Sequence, residues 1–230
     1  MKKILTSVFA IAVIMTSCGG GGKSVDPTST EQVTQASIEA ADSAVPLAES
    51  PIFGSLPSMY MRQKAATDSV SRFTRVPDDA DSETKKLAAK AWDESRDNVA
   101  EHYQQLLKQG LDSLAGKDVP IQFYDDEFDE GKAVIGTELR SNEIDITFDM
   151  TLARALGFLE DNGITFDMIN KDNEVYKTSK SSSKIFPDCY LPDGTITTQT
   201  GKGVHWKSTY SFYLPDLADA AVIRVSFTRK

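Results

Sequence analysis

The chain has 230 residues, a formal net charge of −9, 40% hydrophobic residues and two cysteines. That length and apolar content suit one or two modest domains with a real core. The acidic balance, with no basic cluster longer than Lys85-Lys86, excludes the phosphate-neutralising surface that nucleic-acid binding requires.

At the N-terminus Lys2 and Lys3 precede an uncharged run from Ile4 to Met15. As a helix, twelve residues span roughly 18 Å, short of the roughly 30 Å of bilayer hydrocarbon, so the run reads as a secretory signal and not as an anchor. Its end, Met15-Thr16-Ser17-Cys18 followed by Gly19 to Gly22, resembles the lipobox of bacterial lipoproteins, with methionine where leucine is usual. The resemblance implies removal of residues 1–17 and acylation of Cys18, which makes a bilayer the partner of the lipid. The four glycines leave the segment extended and open to a modifying enzyme. Two or more acyl chains hold a protein on a membrane where one barely does. Gly19, in place of the aspartate that retains such proteins at the inner membrane, implies the outer membrane. No acid run follows Lys23, so the leaflet stays open. Loss of the two leader lysines takes the net charge to about −11.

Residues 18–57 are rich in Gly, Ser, Thr, Ala and Pro and read as a flexible tether with a reach of roughly 35 Å. Within it Ile52, Phe53 and Leu56 are expected to dock on the folded part. Residues 58–116 read as a helical segment of two helices. One runs from Met59 to Thr74. The second is capped by Asp79, Asp81 or Ser82, ends at Gly116, and carries a stripe of Ala88, Ala91, Trp92, Ser95, Val99, Tyr103, Leu106, Gly110 and Leu114.

From residue 117 the apolar period changes to two. In Glu143–Leu152, Ile144, Ile146, Phe148, Met150 and Leu152 share one face. Similar runs recur around 119–126, 133–139, 163–170, 174–179, 204–214 and 220–229, and Lys171-Asp172-Asn173 marks a hairpin turn. The fold class is therefore α+β: an N-terminal helical segment packed on a C-terminal antiparallel sandwich, 117–230, of the immunoglobulin-like kind. Residues 153–163 read either as strand or as short helix, and 180–203 as a long loop.

Few residues carry chemistry. With Cys18 acylated, Cys189 is left without a disulfide partner and reads as a small buried hydrophobe. The acids Asp125, Asp126, Glu127, Asp129 and Glu130 fit a helix-loop-helix calcium loop in neither register and read as a solvated turn, with weak calcium binding as the alternative. Two histidines, His102 and His205, cannot make a zinc site without distant acids. No G-x-S-x-G elbow is present. Asp145 and Asp149 alternate along one strand face and are one candidate carboxylate pair for glycoside chemistry, although that face is also where a sandwich puts its solvent-exposed polar residues. Tyr190 and Tyr213 are the candidate ligand-binding aromatics, because Trp206, Tyr210 and Phe212 share the core parity. The expectation is a lipid-anchored envelope protein that binds or assembles, with no catalytic residue, cofactor or metal. Its partner is an envelope protein or a glycan. A carbohydrate-binding accessory protein is the alternative, and an unrecognised hydrolase the remote one.

Overall fold

The computed structural model describes residues 24–124, 126–154, 163–181, 188–197 and 201–228. Three helices, α1 (Thr30–Ala44), α2 (Leu56–Phe73) and α3 (Ser82–Leu114), precede ten strands. In chain order these are β1 (Asp118–Val119), β2 (Ile121–Phe123), β3 (Phe128–Arg140), β4 (Glu143–Leu152), β5 (Gly163–Ile169), β6 (Val175–Ser181), β7 (Asp188–Tyr190), β8 (Ile196–Thr197), β9 (His205–Tyr213) and β10 (Val222–Thr228).

The first correction concerns the tether. Residues 30–44, expected to be flexible, form α1, capped by Ser29, whose side chain accepts from the Gln32 amide. Val33, Ser37 and Ala41 recur every four residues and are buried against α2 and α3. The helical segment is thus a bundle of three helices rather than two. The Ser95 hydroxyl donates to the Thr30 carbonyl at the start of α1. At its end Asp42 accepts from Arg62 at 2.9 Å and from the Tyr103 hydroxyl. Burial, with the Asp42 carboxylate next in effect, pushes the Tyr103 phenol up to about 12.

Ile52, Phe53 and Leu56 dock as expected. Phe53 and Leu56 are fully buried in the sheet core, Ile52 packs on it, and the Ser50 hydroxyl donates to the Leu217 carbonyl.

Helix α3 is capped by Asp81, whose carboxylate accepts from the Glu83 and Thr84 amides. Its 33 residues make a rod roughly 50 Å long. The buried line runs through Ala91, Ser95, Val99, Tyr103, Leu107 and Leu111, always in steps of four. Each such step turns about 40° around the helix, so the line winds from the α1 and α2 side to the sheets. The expected residues Leu106, Gly110 and Leu114 fall on its shoulder and are half-buried. Gly110 still has a packing role: a Cβ there would lie 2.8 Å from Leu56 Cδ2, so glycine sets how closely α2 and α3 approach. Gly116, at φ +77°, ends the helix and donates to the Ile135 carbonyl.

The strands form two sheets with orders β1-β3-β4-β9-β7-β8 and β2-β10-β5-β6; every pairing is antiparallel except β2 with β10. The chain passes from one sheet to the other at Pro120, which has no amide hydrogen to leave unpaired. The two sheets share one core. Phe148 of β4 and Phe212 of β9 each approach Phe166 of β5 with centroids 5.1 Å apart, and the alternating β4 residues are all buried. Trp206 and Cys189 are buried there too. The expected turn after β5 is present: Asn170 Oδ1 accepts from the Asp172 and Glu174 amides, and Asn173 adopts φ +63°. The β3–β4 connection is two residues long, with a register slip between Ile135 and Leu139 that bulges the strand next to α2 and α3. Most of 153–163 lies outside the described residues.

Docking of Phe53 makes a direct prediction. Phe53→Ala should lower the unfolding free energy by about 3–5 kcal/mol, whereas Leu47→Ala, at an exposed site in the same stretch, should change it by less than about 0.5 kcal/mol. Urea unfolding of the two variants measures both.

Candidate functional site

Where α2 and α3 meet the β3–β4 turn, they leave an open groove of about 880 Å³. One wall is the turn-by-turn face of α2 that carries Tyr60, Gln63, Lys64, Thr67 and Asp68; α3 supplies Gln104, Leu107, Lys108, Leu111 and Asp112. The bulged end of β3 and the turn residues Ser141 and Asn142 close the third side. Leu107 and Leu111 are buried, so they form an apolar floor beneath a polar rim. On that rim Lys64 pairs with Asp68 at 2.9 Å and Lys108 with Asp112 at 3.3 Å, both along single helices. The hydrogen bond that Lys64 donates to Asp68, and then the charge of Asp68, raise the Lys64 ammonium above its ordinary range.

Tyr213, one of the two expected aromatics, stands beside this groove. Its ring meets Tyr60 edge-on, with centroids 5.9 Å apart and planes at 75°. It remains 37% exposed at the end of β9, where the Leu214 amide donates to the Asn142 carbonyl of the β3–β4 turn. The Tyr60 side chain, and then burial, raise the Tyr213 phenol above the ordinary range.

Tyr190 is elsewhere. It pairs with His205, while Tyr213 pairs with Glu143. The eight residue steps of β9 from His205 to Tyr213 separate the two tyrosines by roughly 26 Å along the strand. One ligand site cannot use both unless it spans the sheet. Tyr60, the true neighbour of Tyr213, was not anticipated; it lies 153 positions earlier, and its only signal is that it shares a helix face with Lys64.

The outer face of the six-stranded sheet holds a smaller hollow of about 290 Å³, lined by Glu130, Gly131, Lys132, Asp149, Thr151 and His205. Here His205 Nδ1 lies 3.6 Å from Asp149 Oδ1 and 3.5 Å from Thr151 Oγ1. A hydroxyl nucleophile and an orienting acid must occupy opposite ring nitrogens, and these two share one. The carboxylate pair Asp145 and Asp149 is also corrected. Four residues of strand put them roughly 13 Å apart, beyond the roughly 5–9.5 Å of glycosidases. Asp145 is moreover engaged by Ser211 at 2.6 Å and Arg140 at 3.3 Å.

The acidic stretch departs from a solvated turn at one residue. Glu127 is buried and its Oε1 accepts from Arg154 at 3.0 Å, while Asp126, Asp129 and Glu130 are exposed and Asp125 lies outside the described residues. Among the described residues no three His, Cys, Asp or Glu side chains converge as a metal site. Cys18 lies outside the described residues, and among those described no helix is long and apolar enough to cross a membrane. His102 packs edge-on against Tyr103, as its place beside the stripe implies.

No family model matches the sequence, and no curated protein or solved structure is detectably similar to it.

The Tyr60–Tyr213 contact can be read by titration. A contact that favours neutral Tyr213 contributes stability that is complete below the ordinary phenol value of about 10 and is lost as pH rises through the folded-state value. Tyr60→Phe should therefore move the Tyr213 ionisation down towards about 10, followed by NMR of ring-labelled tyrosine with Tyr213→Phe as the assignment control.

Proposed function

We propose that the protein is a lipid-anchored component of the cell envelope, fastened to the outer membrane through acyl chains on Cys18, and that it acts by binding rather than by catalysis. The observation that carries this reading is where the folded body begins. Val25, seven positions after Cys18, already packs on the bundle core, a reach of at most about 25 Å. α1 starts beside Ser95 of α3, whereas the sheets join the bundle through Leu107 and Leu111. The segment that carries the lipid thus joins the body near the middle of α3, about 18 Å along the rod from the level of Leu107.

In the posture proposed, the connection between α2 and α3 faces the bilayer, and the bundle holds the groove and both sheets away from it. Leu107 and Leu111 are 25 and 29 residues beyond Ser82, which puts the groove roughly 40 Å from that tip. A binding role is supported by the shape of the site, a polar-rimmed concavity. The immunoglobulin-like assignment belongs to the same proposal: two largely antiparallel sheets over one core support it. The second reading, a carbohydrate-binding accessory protein, is favoured by the exposed ring of Tyr213 against Tyr60.

The anchor and the posture are tested together. Native protein should carry acyl chains on residue 18 by mass spectrometry and should fractionate with outer membranes, and Cys18→Ala should abolish both. A fluorophore at residue 83 should then transfer energy to a lipid-borne acceptor far more strongly than one at residue 138. Equal transfer would overturn the posture, and an unmodified thiol would overturn the anchor.

A further inference from the structure

We propose that the groove between α2, α3 and the β3–β4 turn is a binding site for an uncharged glycan chain, with Tyr213 and Tyr60 as the aromatic platform and Gln63 as a hydrogen-bonding partner. This inference rests on the carbohydrate-binding reading above and assigns it a place and a ligand class.

Three observations point the same way. The volume, about 880 Å³, is that of a small-molecule or oligosaccharide site. The rim offers donors and acceptors in nearly balanced charge, since Lys64–Asp68 and Lys108–Asp112 neutralise each other pairwise. Polyols need that mixture, each hydroxyl both donating and accepting, whereas an anionic ligand would meet no net positive charge, because Glu138 leaves the lining one negative charge over. Tyr213 is an exposed aromatic ring held in place by a second ring, and the apolar C–H face of a sugar packs on such a surface without conformational cost to the protein.

The alternative occupant, an extended peptide adding to the sheet, is disfavoured by the strand that borders the groove. Between Ile135 and Leu139 the register slips, and a Cβ at Gly136 would lie 2.9 Å from the Asp145 carbonyl oxygen. A bulged edge of this kind does not present the regular ladder that strand addition uses.

The test uses the full chain in detergent, screened against neutral oligosaccharides of glucose, xylose, mannose and N-acetylglucosamine, with acidic polysaccharides and unstructured peptides alongside. The tightest neutral ligand should then be titrated by calorimetry. Tyr213→Ala should weaken it about tenfold or more, and Gln63→Ala several-fold. Tyr213→Phe, which keeps the ring, should stay within about threefold, so a folding defect would be distinguished from a lost platform. Tyr190→Ala should leave binding unchanged. Three results overturn the proposal. Absence of any neutral-glycan binding would also remove the carbohydrate reading. Binding abolished by Tyr190→Ala but indifferent to Tyr213→Ala would keep that reading and move the site. Binding in the groove confined to peptides or acidic polymers would replace the ligand class.

Discussion

The structure depends on one apolar junction, where Leu107 and Leu111 of α3, together with Phe53 and Leu56, enter the core shared by the two sheets. Each side chain is at most 3% exposed, and burial of groups this size contributes about 1.5–3 kcal/mol apiece. Against a net stability of about 5–15 kcal/mol for an ordinary domain, the junction is not an optional contact between two independent bodies. The helices have a second core of their own, built on Val33, Val70, Val99 and Tyr103. α3 belongs to both cores because its buried line winds around the helix as it descends. A single rod therefore fixes where the sheets stand relative to the bundle.

Polar ties at the same level reinforce the junction. Gly116 and Ile135 connect the end of α3 to β3, and Lys117 accepts from the Ile135 amide in return. Ser50 ties the segment before α2 to the turn after β9, and Leu214 ties that turn to Asn142. The groove is the space these constraints leave over. Its three walls are each pinned to the shared core, so its shape is set before any ligand arrives, and a ligand would not have to order it.

Legibility in the sequence followed the strength of the local pattern. β4 alternates through ten residues with aliphatic and aromatic side chains, and all five inward positions were read correctly; the parity of β9 likewise separated Trp206 and Phe212 from Tyr213. α3 was legible as a helix, but the lower part of its stripe was misread by one position, because steps of three and four are interchangeable in a pattern and only the winding towards the sheets selects Leu107 over Leu106. α1 was missed for a different reason. Its buried positions are Val33, Ser37 and Ala41, small enough to pack tightly but too weakly apolar to stand out in a Ser/Thr/Ala-rich stretch. The capping serine and the repeat of four were the only signals. Of the candidate site, Tyr213 was legible through strand parity, and Tyr60 was not. Their contact is created by the docking of α2 on the sheets, which no local periodicity encodes.

The two kinds of polar surface on this protein differ in how much of their hydrogen-bonding capacity is already engaged. On the outer sheet faces, side chains satisfy one another across strands: Thr147 with Thr209 at 2.8 Å, Ser211 with Asp145, and Arg224 and Thr178 together on Asp167. Asp145 and Asp167 are well covered, so displacing their partners would leave partly buried carboxylates to be resolvated. The groove's ion pairs are different. Lys64–Asp68 and Lys108–Asp112 are more than half exposed on all four side chains, and solvent screens such pairs so that they contribute little. Exchanging one of those contacts for a ligand hydroxyl costs the protein little. The flat faces are therefore committed to holding the sheets together. The concave surface at the helix junction is where the same chemistry remains available for exchange.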